Sequence, residues 1–167
     1  DIDECARGTH NCHSSLASCT NTVGSFSCSC NSASSGDGRT CNLLVSDCQN
    51  YVSLNSSTRK ITYSGNNWYC DSEIGPGWFR FEGSAGTRMA TSCPPKGRCG
   101  AWVPGWLNGG HPTVADGRVS RQVCFRAFSN CCRWSTNIEV RNCGSYYVYY
   151  LSGTYSGYCY HRYCGTD

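Results

Sequence analysis

The sequence predicts a small, disulfide-rich, mostly β protein built from two modules. Cysteine supplies 16 of the 167 residues, a density typical of secreted domains held together by crosslinks. The cysteines form a dense set of six up to residue 41 and a sparser set of ten from residue 48, and both counts are even. The longer second module has β-favouring runs separated by Gly and Pro, and no helical period.

The first module, residues 1–41, has short polar loops and a Gly-led turn into a brief strand, Val-Gly-Ser-Phe-Ser-Cys. The opening Asp-Ile-Asp-Glu-Cys occurs together with the spacing Cys19-x-Asn21-x4-Phe26-x-Cys28. This combination resembles the EGF-like domain, specifically the calcium-binding kind. The disulfides that the resemblance implies are Cys5–Cys19, Cys12–Cys28 and Cys30–Cys41.

The acidic opening of the chain is a candidate calcium site, because Ca²⁺ takes six to eight hard oxygen ligands. By the EGF resemblance, the ligands would be the side chains of Asp1, Glu4 and Asn21 and the carbonyl oxygens of Ile2, Thr22 and Ser25. Two carboxylates among neutral oxygens predict a weak, extracellular-type affinity, with a dissociation constant on the order of 10⁻⁴ to 10⁻³ M. Asn21 also fits the hydroxylation pattern of this class of EGF domain.

Residues 42–47, Asn-Leu-Leu-Val-Ser-Asp, are predicted to be a short linker. The segment is too apolar for a flexible tether, so we expect it to lie against one of the modules and to make them a semi-rigid pair.

In the second module, residues 48–167, the most marked strand signal is the run from Tyr146 to Leu151. Alternation places Tyr146, Val148 and Tyr150 on one face. The remaining three side chains lie on the other face, so both faces must be covered or one of them is a binding surface. With Gly and Pro punctuating the chain, an irregular all-β fold of short elements and long loops is expected.

Several motifs of this module follow one another in the order found in the ten-cysteine domain of the uromodulin-like family, which includes the pancreatic zymogen-granule glycoprotein. They are Tyr-Cys-Asp at 69–71, Gly-Trp-Phe-Arg-Phe at 77–81, Arg-Met-Ala at 88–90, Trp-Leu-Asn-Gly at 106–109, Cys-Cys-x-Trp at 131–134 and Tyr-Tyr-Val-Tyr at 146–149. The module is identified by this resemblance as a ten-cysteine domain.

Adjacent Cys131 and Cys132 must take different partners, because consecutive Cα atoms are about 3.8 Å apart and a disulfide needs about 4.4–6.8 Å. The resemblance supplies those partners. The pairs it implies are Cys48–Cys143, Cys70–Cys159, Cys93–Cys131, Cys99–Cys164 and Cys124–Cys132.

Asn55-Ser56-Ser57 is the one N-x-[Ser/Thr] sequon and lies in a polar stretch, so Asn55 is the predicted N-glycosylation site. In the uromodulin-like family the glycan is carried by the asparagine of Trp-Leu-Asn-Gly-[Thr/Ser]. Here Asn108 is followed by Gly109 and Gly110, so that sequon is absent.

Other classes of function have little support in the sequence. Residues 1–47 have a net charge of −3 and residues 48–167 of +6, but the arginines are scattered singly, which disfavours nucleic-acid binding. No apolar run approaches the length of a membrane span. The chain starts at Asp1 without a signal sequence, and we expect it to be a mature piece of a longer protein.

Catalytic and zinc sites are not predicted either. The histidines lack HExxH or GxSxG motifs, so no catalytic residues are assigned and no enzyme is expected. His111 lies in an Asn-Gly-Gly-His-Pro segment, where a structural loop that caps a tryptophan is favoured. Zinc is not expected at Cys28-x-Cys30, because the EGF resemblance assigns these cysteines to disulfides.

We therefore expect a secreted, extracellular and non-enzymatic glycoprotein segment with Ca²⁺ as its cofactor. By the family resemblance, it would be a calcium-stiffened spacer and a rigid head on a filament, presenting a surface or an N-glycan to extracellular proteins or microbial adhesins, and a homopolymer is possible. Two alternatives remain open. One is a lectin-like module that binds carbohydrate through exposed aromatic rings. The other is a repeating structural unit of an extracellular fibre.

Overall fold

The first module consists of a short helix and two small hairpins in the computed structural model, which describes residues 1–154 and 159–167. Its elements are helix α1 (Glu4–Arg7) and strands β1 (Ala17–Thr22), β2 (Ser25–Cys30), β3 (Ser34–Gly36) and β4 (Cys41–Leu43). Thr22 pairs with Ser25, so a two-residue turn joins β1 to β2. Gly24 in that turn has a φ of 77°, a conformation that glycine adopts without strain.

Few side chains are buried in the first module, and three disulfides do much of the work of a core. The buried side chains of residues 1–41 are those of Leu16, Ser34 and Cys41. The bridges are Cys5–Cys19, Cys12–Cys28 and Cys30–Cys41, the same pairs that the EGF resemblance implies.

The segment 42–47 lies against the second module. The backbone N–H of Leu43 donates to the carbonyl oxygen of Cys143 at 2.9 Å. The side-chain oxygen of Asn42 accepts hydrogen bonds from the backbone N–H and the hydroxyl of Ser145, at 3.1 and 2.6 Å. The linker is therefore fixed by backbone and side-chain hydrogen bonds to the loop that follows Asn142.

A buried ionic cluster anchors helix α2 (Ser46–Gln49), which begins inside the predicted linker. The carboxylate of Asp47 accepts hydrogen bonds from Arg118, at 2.9 Å to both oxygens, and from Arg141 at 2.9 Å. Only 10% of the Asp47 side chain is exposed, so the two guanidinium groups replace the water that a carboxylate would otherwise bind. The start of the second module is thereby tied to its central strands.

The second module is a seven-stranded sheet with a separate two-stranded ribbon. Its strands are β5 (Val52–Leu54), β6 (Gly77–Phe81), β7 (Arg88–Met89), β8 (Val103–Asn108), β9 (Arg118–Ala127), β10 (Asn130–Asn142), β11 (Tyr147–Leu151), β12 (His161–Tyr163) and β13 (Gly165–Thr166). The sheet order is β12-β8-β9-β10-β11-β6-β5. The two edge strands pair in parallel with their neighbours and the inner strands are antiparallel, while β7 pairs with β13. Short 3-10 turns occur at Ser57–Arg59 and Gly83–Ala85.

The central hairpin is longer than the short elements expected from the sequence. Strands β9 and β10 have 10 and 13 residues, and the range 118–142 contains neither Gly nor Pro. The punctuation that predicted short elements lies outside this hairpin, so nothing interrupts its ladder of backbone hydrogen bonds.

Alternating side chains of β11 cover both faces of the sheet, as predicted. Tyr149 and Leu151 are fully buried in the main core. Val148 points to the opposite face, where it is buried with Leu43 and Val45 of the linker segment. The linker therefore covers part of the face that would otherwise be open.

Five disulfides crosslink the second module. They are Cys48–Cys143, Cys70–Cys159, Cys93–Cys131, Cys99–Cys164 and Cys124–Cys132, the pairs that the family resemblance implies. Within the described ranges no helix has the length and apolar character needed to cross a membrane.

Candidate functional site

The predicted calcium ligands lie where the N-terminus meets the β1–β2 turn. The side-chain amide of Asn21 donates to one carboxylate oxygen of Asp1 at 3.1 Å, and the backbone N–H of Gly24 donates to the other at 2.7 Å. The structure thus brings two of the predicted side-chain ligands, Asp1 and Asn21, into direct contact across a gap of 20 residues in sequence.

Glu4 supplies the third predicted side chain, on the first turn of α1. Its Oε2 atom is buried and has no hydrogen-bond partner among the residues that the structure describes. A buried carboxylate oxygen without a donor is unfavourable, and a nearby cation would remove that cost. Asp3 has a different role, because its Oδ1 accepts a hydrogen bond from the backbone N–H of Ala6 at 2.9 Å and caps the helix.

The remaining predicted ligands are backbone carbonyls, and two of them flank the turn. Thr22 ends β1 and Ser25 begins β2, directly opposite each other. Ile2 lies between the two aspartates, with 56% of its surface exposed. The donor set is therefore two carboxylates, one amide and neutral carbonyls, which are the hard oxygen ligands that Ca²⁺ prefers. The residues fit a calcium ion.

A second cluster in this module does not fit a metal. His10, Cys12 and Cys19 have ligand atoms within 4.8 Å of one another. Both sulfurs are in disulfides, however, and the ligand that zinc requires is a thiolate. The Nδ1 atom of His10 accepts a hydrogen bond from the backbone of Cys12, so the cluster is structural.

The predicted glycan acceptor Asn55 lies at the surface, directly after β5 and before the 3-10 turn at Ser57–Arg59. Asn108, at the position of the family glycan, is also exposed, and its side-chain amide donates to Gln122 on β9 at 2.8 Å. Asn55 therefore combines an exposed side chain with an intact sequon, whereas Asn108 has only the exposure.

His111 contacts tyrosines rather than the tryptophan expected from the sequence. Its ring lies 4.4 Å from the ring of Tyr147, and its Nε2 is 2.7 Å from the hydroxyl of Tyr149. That hydroxyl accepts the backbone N–H of Met89 and donates to His111. Burial, followed by the charges of Arg88 and Arg121, lowers the pKa of His111 to about 4, so the ring is neutral at pH 7. Its role is structural.

The aromatic rings divide between the core and one exposed region. Phe79, Phe81, Phe125, Tyr149 and Tyr163 are buried. Large exposed rings include Trp68, Trp102, Phe128, Trp134 and Tyr160. This region was not among the sites predicted from the sequence. The period-2 pattern along β10, which places Trp134 on the same face as the core residues Ile138 and Val140, is the signal that would have found it.

Comparison with known proteins supports the two-module description. Residues 79–165 match the family described as "Uromodulin-like", through the cysteine-rich domain that defines it, and residues 1–43 match the calcium-binding EGF domain. The chain is 38% identical to mouse uromodulin, over 91% of this chain and 33% of that protein, and 40% identical to rat uromodulin over the same shares. It is 41% identical to human pancreatic secretory granule membrane major glycoprotein GP2, over 70% of this chain and 21% of that protein.

The chain spans about a third of the length of these uromodulins and less of the GP2 protein. The match to the uromodulin-like domain alone covers more than half of the present chain. Two independent family matches, in the order EGF module and then cysteine-rich sheet, agree with the eight disulfides and the β architecture. The chain therefore belongs to the uromodulin-like family of extracellular glycoproteins.

Proposed function

We propose that this segment is a non-enzymatic, extracellular arm in which residues 1–41 are a calcium-stiffened spacer and residues 48–167 a rigid head that presents an N-glycan at Asn55. In the longer protein, the arm would project from a filament and offer the glycan to microbial adhesins or extracellular partners. The observation that carries the proposal is the joint between the modules.

The joint supports a rigid arm because it involves backbone groups and buried charge. Besides the Leu43–Cys143 hydrogen bond and the Asp47 cluster, Gly144 makes a close backbone contact. A Cβ atom at this position would lie 2.1 Å from the carbonyl oxygen of Cys41 and 3.1 Å from Leu16. Gly144 also has a φ of 113°, so only glycine allows the modules to approach this closely.

The calcium region supports the spacer role through the fit described above. Coordination by Asp1, Glu4 and Asn21 would fix the N-terminal segment against the β1–β2 hairpin, at the end of the module opposite the joint. A weak site of this type is saturated at extracellular calcium concentrations but not inside cells. Hydroxylation of Asn21 remains a prediction, and its side chain is exposed.

The position of Asn55 supports the display role. It lies at the end of the edge strand β5, after a run that starts next to the joint, so a glycan there would extend from the free side of the sheet. Many heads on one polymer would bind a multivalent adhesin by avidity, while a single head would bind weakly.

The decisive experiment removes the glycan without changing the fold. Asn55→Gln and Ser57→Ala each destroy the sequon, whereas Ser56→Ala leaves it intact and is the matched control. We expect the first two variants to lose the N-glycan and with it binding to mannose-specific adhesins, measured on densely immobilised protein, while the control keeps both. Undiminished adhesin capture by the two sequon variants would refute glycan display.

A second candidate function is supported by the exposed aromatic region, which suggests a binding head rather than a passive carrier. Carbohydrate-array binding by an aglycosylated head would favour a lectin. Self-association of the chain into fibres, without binding of either kind, would favour a structural repeat.

A further inference from the structure

The long central hairpin extends beyond the core of the head and leaves an open groove on its inner face. Along β9 the residues Phe125 and Ala127 point to this face, and along β10 so do Trp134 and Thr136. Further along the same face the sheet is closed by the main core, but at this end no other element covers it within the described part of the chain. The groove continues the core face into solvent.

Aromatic side chains form most of the groove wall. The groove has a volume of about 520 Å³, within the range of roughly 300–1,000 Å³ typical of small-molecule sites. Trp102, Phe128 and Trp134 line it and are 39%, 74% and 46% exposed. Large exposed rings grouped in one concave region are unusual on a soluble protein and indicate a binding surface.

Two features suggest that this region is a built site. Phe128, in the two-residue turn between β9 and β10, has a φ of 54°, a conformation that is unfavourable for a bulky side chain. His161 lines the groove with 7% of its surface exposed, and its Nδ1 atom has no hydrogen-bond partner among the described residues. Buried polar atoms of native proteins are almost always partnered, so a ligand group that bonds to Nδ1 would complete this site.

The ring of His161 is held in place by two groove residues. It lies 5.1 Å from the ring of Phe125 and 5.2 Å from that of Trp134, both edge-on. Burial lowers the pKa of His161, so the ring is neutral and can offer a hydrogen bond without a charge. Ser135 and Thr136 add hydroxyl groups to the wall.

The charges around the groove are cationic. No acidic residue is among the described residues that line it. Lys96 Nζ lies 3.9 Å from the centre of the Trp102 ring, and the guanidinium of Arg133 lies 5.8 Å from that of Trp134. Neither cation forms an ion pair with an acidic side chain in the ranges 1–154 and 159–167. A cationic ligand is therefore disfavoured and an anionic one favoured by charge complementarity.

We propose that this groove binds a small amphipathic anion, whose apolar ring or chain lies between Trp102 and Trp134 and whose acidic end points to Lys96 and Arg133. The interior takes apolar material because its walls are aromatic. The rim selects the acidic end because the charges nearest to it are positive. This site is separate from the predicted calcium region and from Asn55.

The proposal can be tested with two fluorescent probes that differ in charge. 1-Anilinonaphthalene-8-sulfonate carries a sulfonate, and N-phenyl-1-naphthylamine is its uncharged analogue. Both are titrated into the full chain with its disulfides intact. We expect both to bind and the sulfonate to bind at least fivefold more tightly. Equal affinities for the two probes would overturn the selection for an anion.

Variants locate the site and separate its two components. Trp134→Ala, or Trp134→Leu if the first fails to fold, should weaken both probes about tenfold. Lys96→Gln together with Arg133→Gln should weaken only the sulfonate probe, by about tenfold. Tyr150→Ala is the matched control, because Tyr150 is 41% exposed and pairs with Trp78 outside the groove. A similar loss of binding in the control would show nonspecific adsorption and overturn the site.

Competition defines the class of ligand. Dodecanoate should displace the sulfonate probe at lower concentration than dodecanol does, because only dodecanoate has an acidic end. Displacement by a neutral trisaccharide instead would overturn the proposal in favour of a carbohydrate site. The Asn55→Gln variant should bind both probes normally, so a failure of this proposal is distinguishable from a failure of glycan display.

Discussion

The two modules use the same crosslink chemistry for different purposes. In the first module, three disulfides enclose almost no core, and the side chain of Leu16 is the largest that is buried. In the second module, five disulfides surround a continuous core that includes Phe81, Tyr149 and Tyr163. The first module depends on bridges and, by our proposal, on a bound ion. The second depends on packing, which the bridges reinforce, and mutation can test this distinction.

The largest expected effect comes from the bridge that closes the longest loop of the head. Cys48 and Cys143 are 95 residues apart, and loop entropy predicts a loss of about 4.7 kcal/mol when both are replaced by Ala. The matched control is the pair Cys124 and Cys132, only 8 residues apart, with a predicted loss of about 2.5 kcal/mol. Urea unfolding of the two double variants gives the difference. Equal losses would show that packing, not loop length, sets the contribution of these bridges.

The next effect concerns the hydroxyl of Tyr149 in the core of the head. Tyr149→Phe leaves the backbone N–H of Met89 and the Nε2 of His111 without their partner. Unsatisfied buried groups cost about 1–3 kcal/mol each, so we expect a loss of about 3 kcal/mol in the free energy of unfolding. Tyr150→Phe, at an exposed neighbour, is the control and should change it by less than about 0.5 kcal/mol. A neutral result for Tyr149→Phe would mean that packing alone sustains this region.

A smaller effect should appear as the pH falls. The pKa of His111 is about 4 in the folded head, below the 6.5 of an unperturbed histidine. The unfolded chain therefore binds a proton first, so the stabilisation is complete above pH 6.5 and is lost as the pH falls toward 4. Allowing for partial solvent screening of this ring, the loss is about 2 kcal/mol.

His161 contributes in the same direction, because its pKa is also lowered by burial. The measurement is therefore the difference between the wild type and His111→Gln, whose amide oxygen can still accept the Tyr149 hydroxyl. Denaturant unfolding at about pH 7 and about pH 4.5 should show a smaller loss for the variant. Parallel pH profiles would exclude His111 as a source of the dependence.

The smallest effect belongs to the first module. At ~1 mM Ca²⁺ and a dissociation constant of ~0.1 mM, binding to the folded form adds about 1.4 kcal/mol to the stability of residues 1–47. We expect slower proteolysis and slower amide exchange in this region with calcium than with chelator, and no change in the head.

Glu4→Gln should abolish the calcium response, because it removes a predicted ligand. Asp3→Asn is the matched control, since asparagine also caps helices and Asp3 is not a predicted ligand. Identical cleavage of the wild type with calcium and with chelator would contradict the site.

Local patterns predicted much of this architecture. Alternation in β11 gave the correct faces for Val148 and Tyr149, and the apolar linker lies against the head as expected. Cysteine spacing gave two modules, while the pairing itself came from the family resemblance. These features were accessible because each depends on residues close in sequence or on a known pattern.

Long-range contacts were not predictable in this way. Asp47 meets Arg118 and Arg141 across 71 and 94 residues, and no spacing rule connects them. His111 was expected against a tryptophan, but the sheet register brings Tyr149 to it instead. The aromatic groove exists because the β9–β10 hairpin is longer than the core is wide, a property of the assembled sheet rather than of any segment.

The position of the Cys48–Cys143 bridge also determines how the head would respond to mechanical tension. A pulling force that enters at Cys48 and leaves at Cys164 crosses the bridge directly to Cys143. Even with every strand pulled apart, roughly 20 residues and about 70 Å of chain could then be extended, instead of roughly 115 residues and about 400 Å. The head would behave as a short tether of nearly fixed length, and shear forces such as those of a flowing fluid could unfold it without lengthening it several-fold.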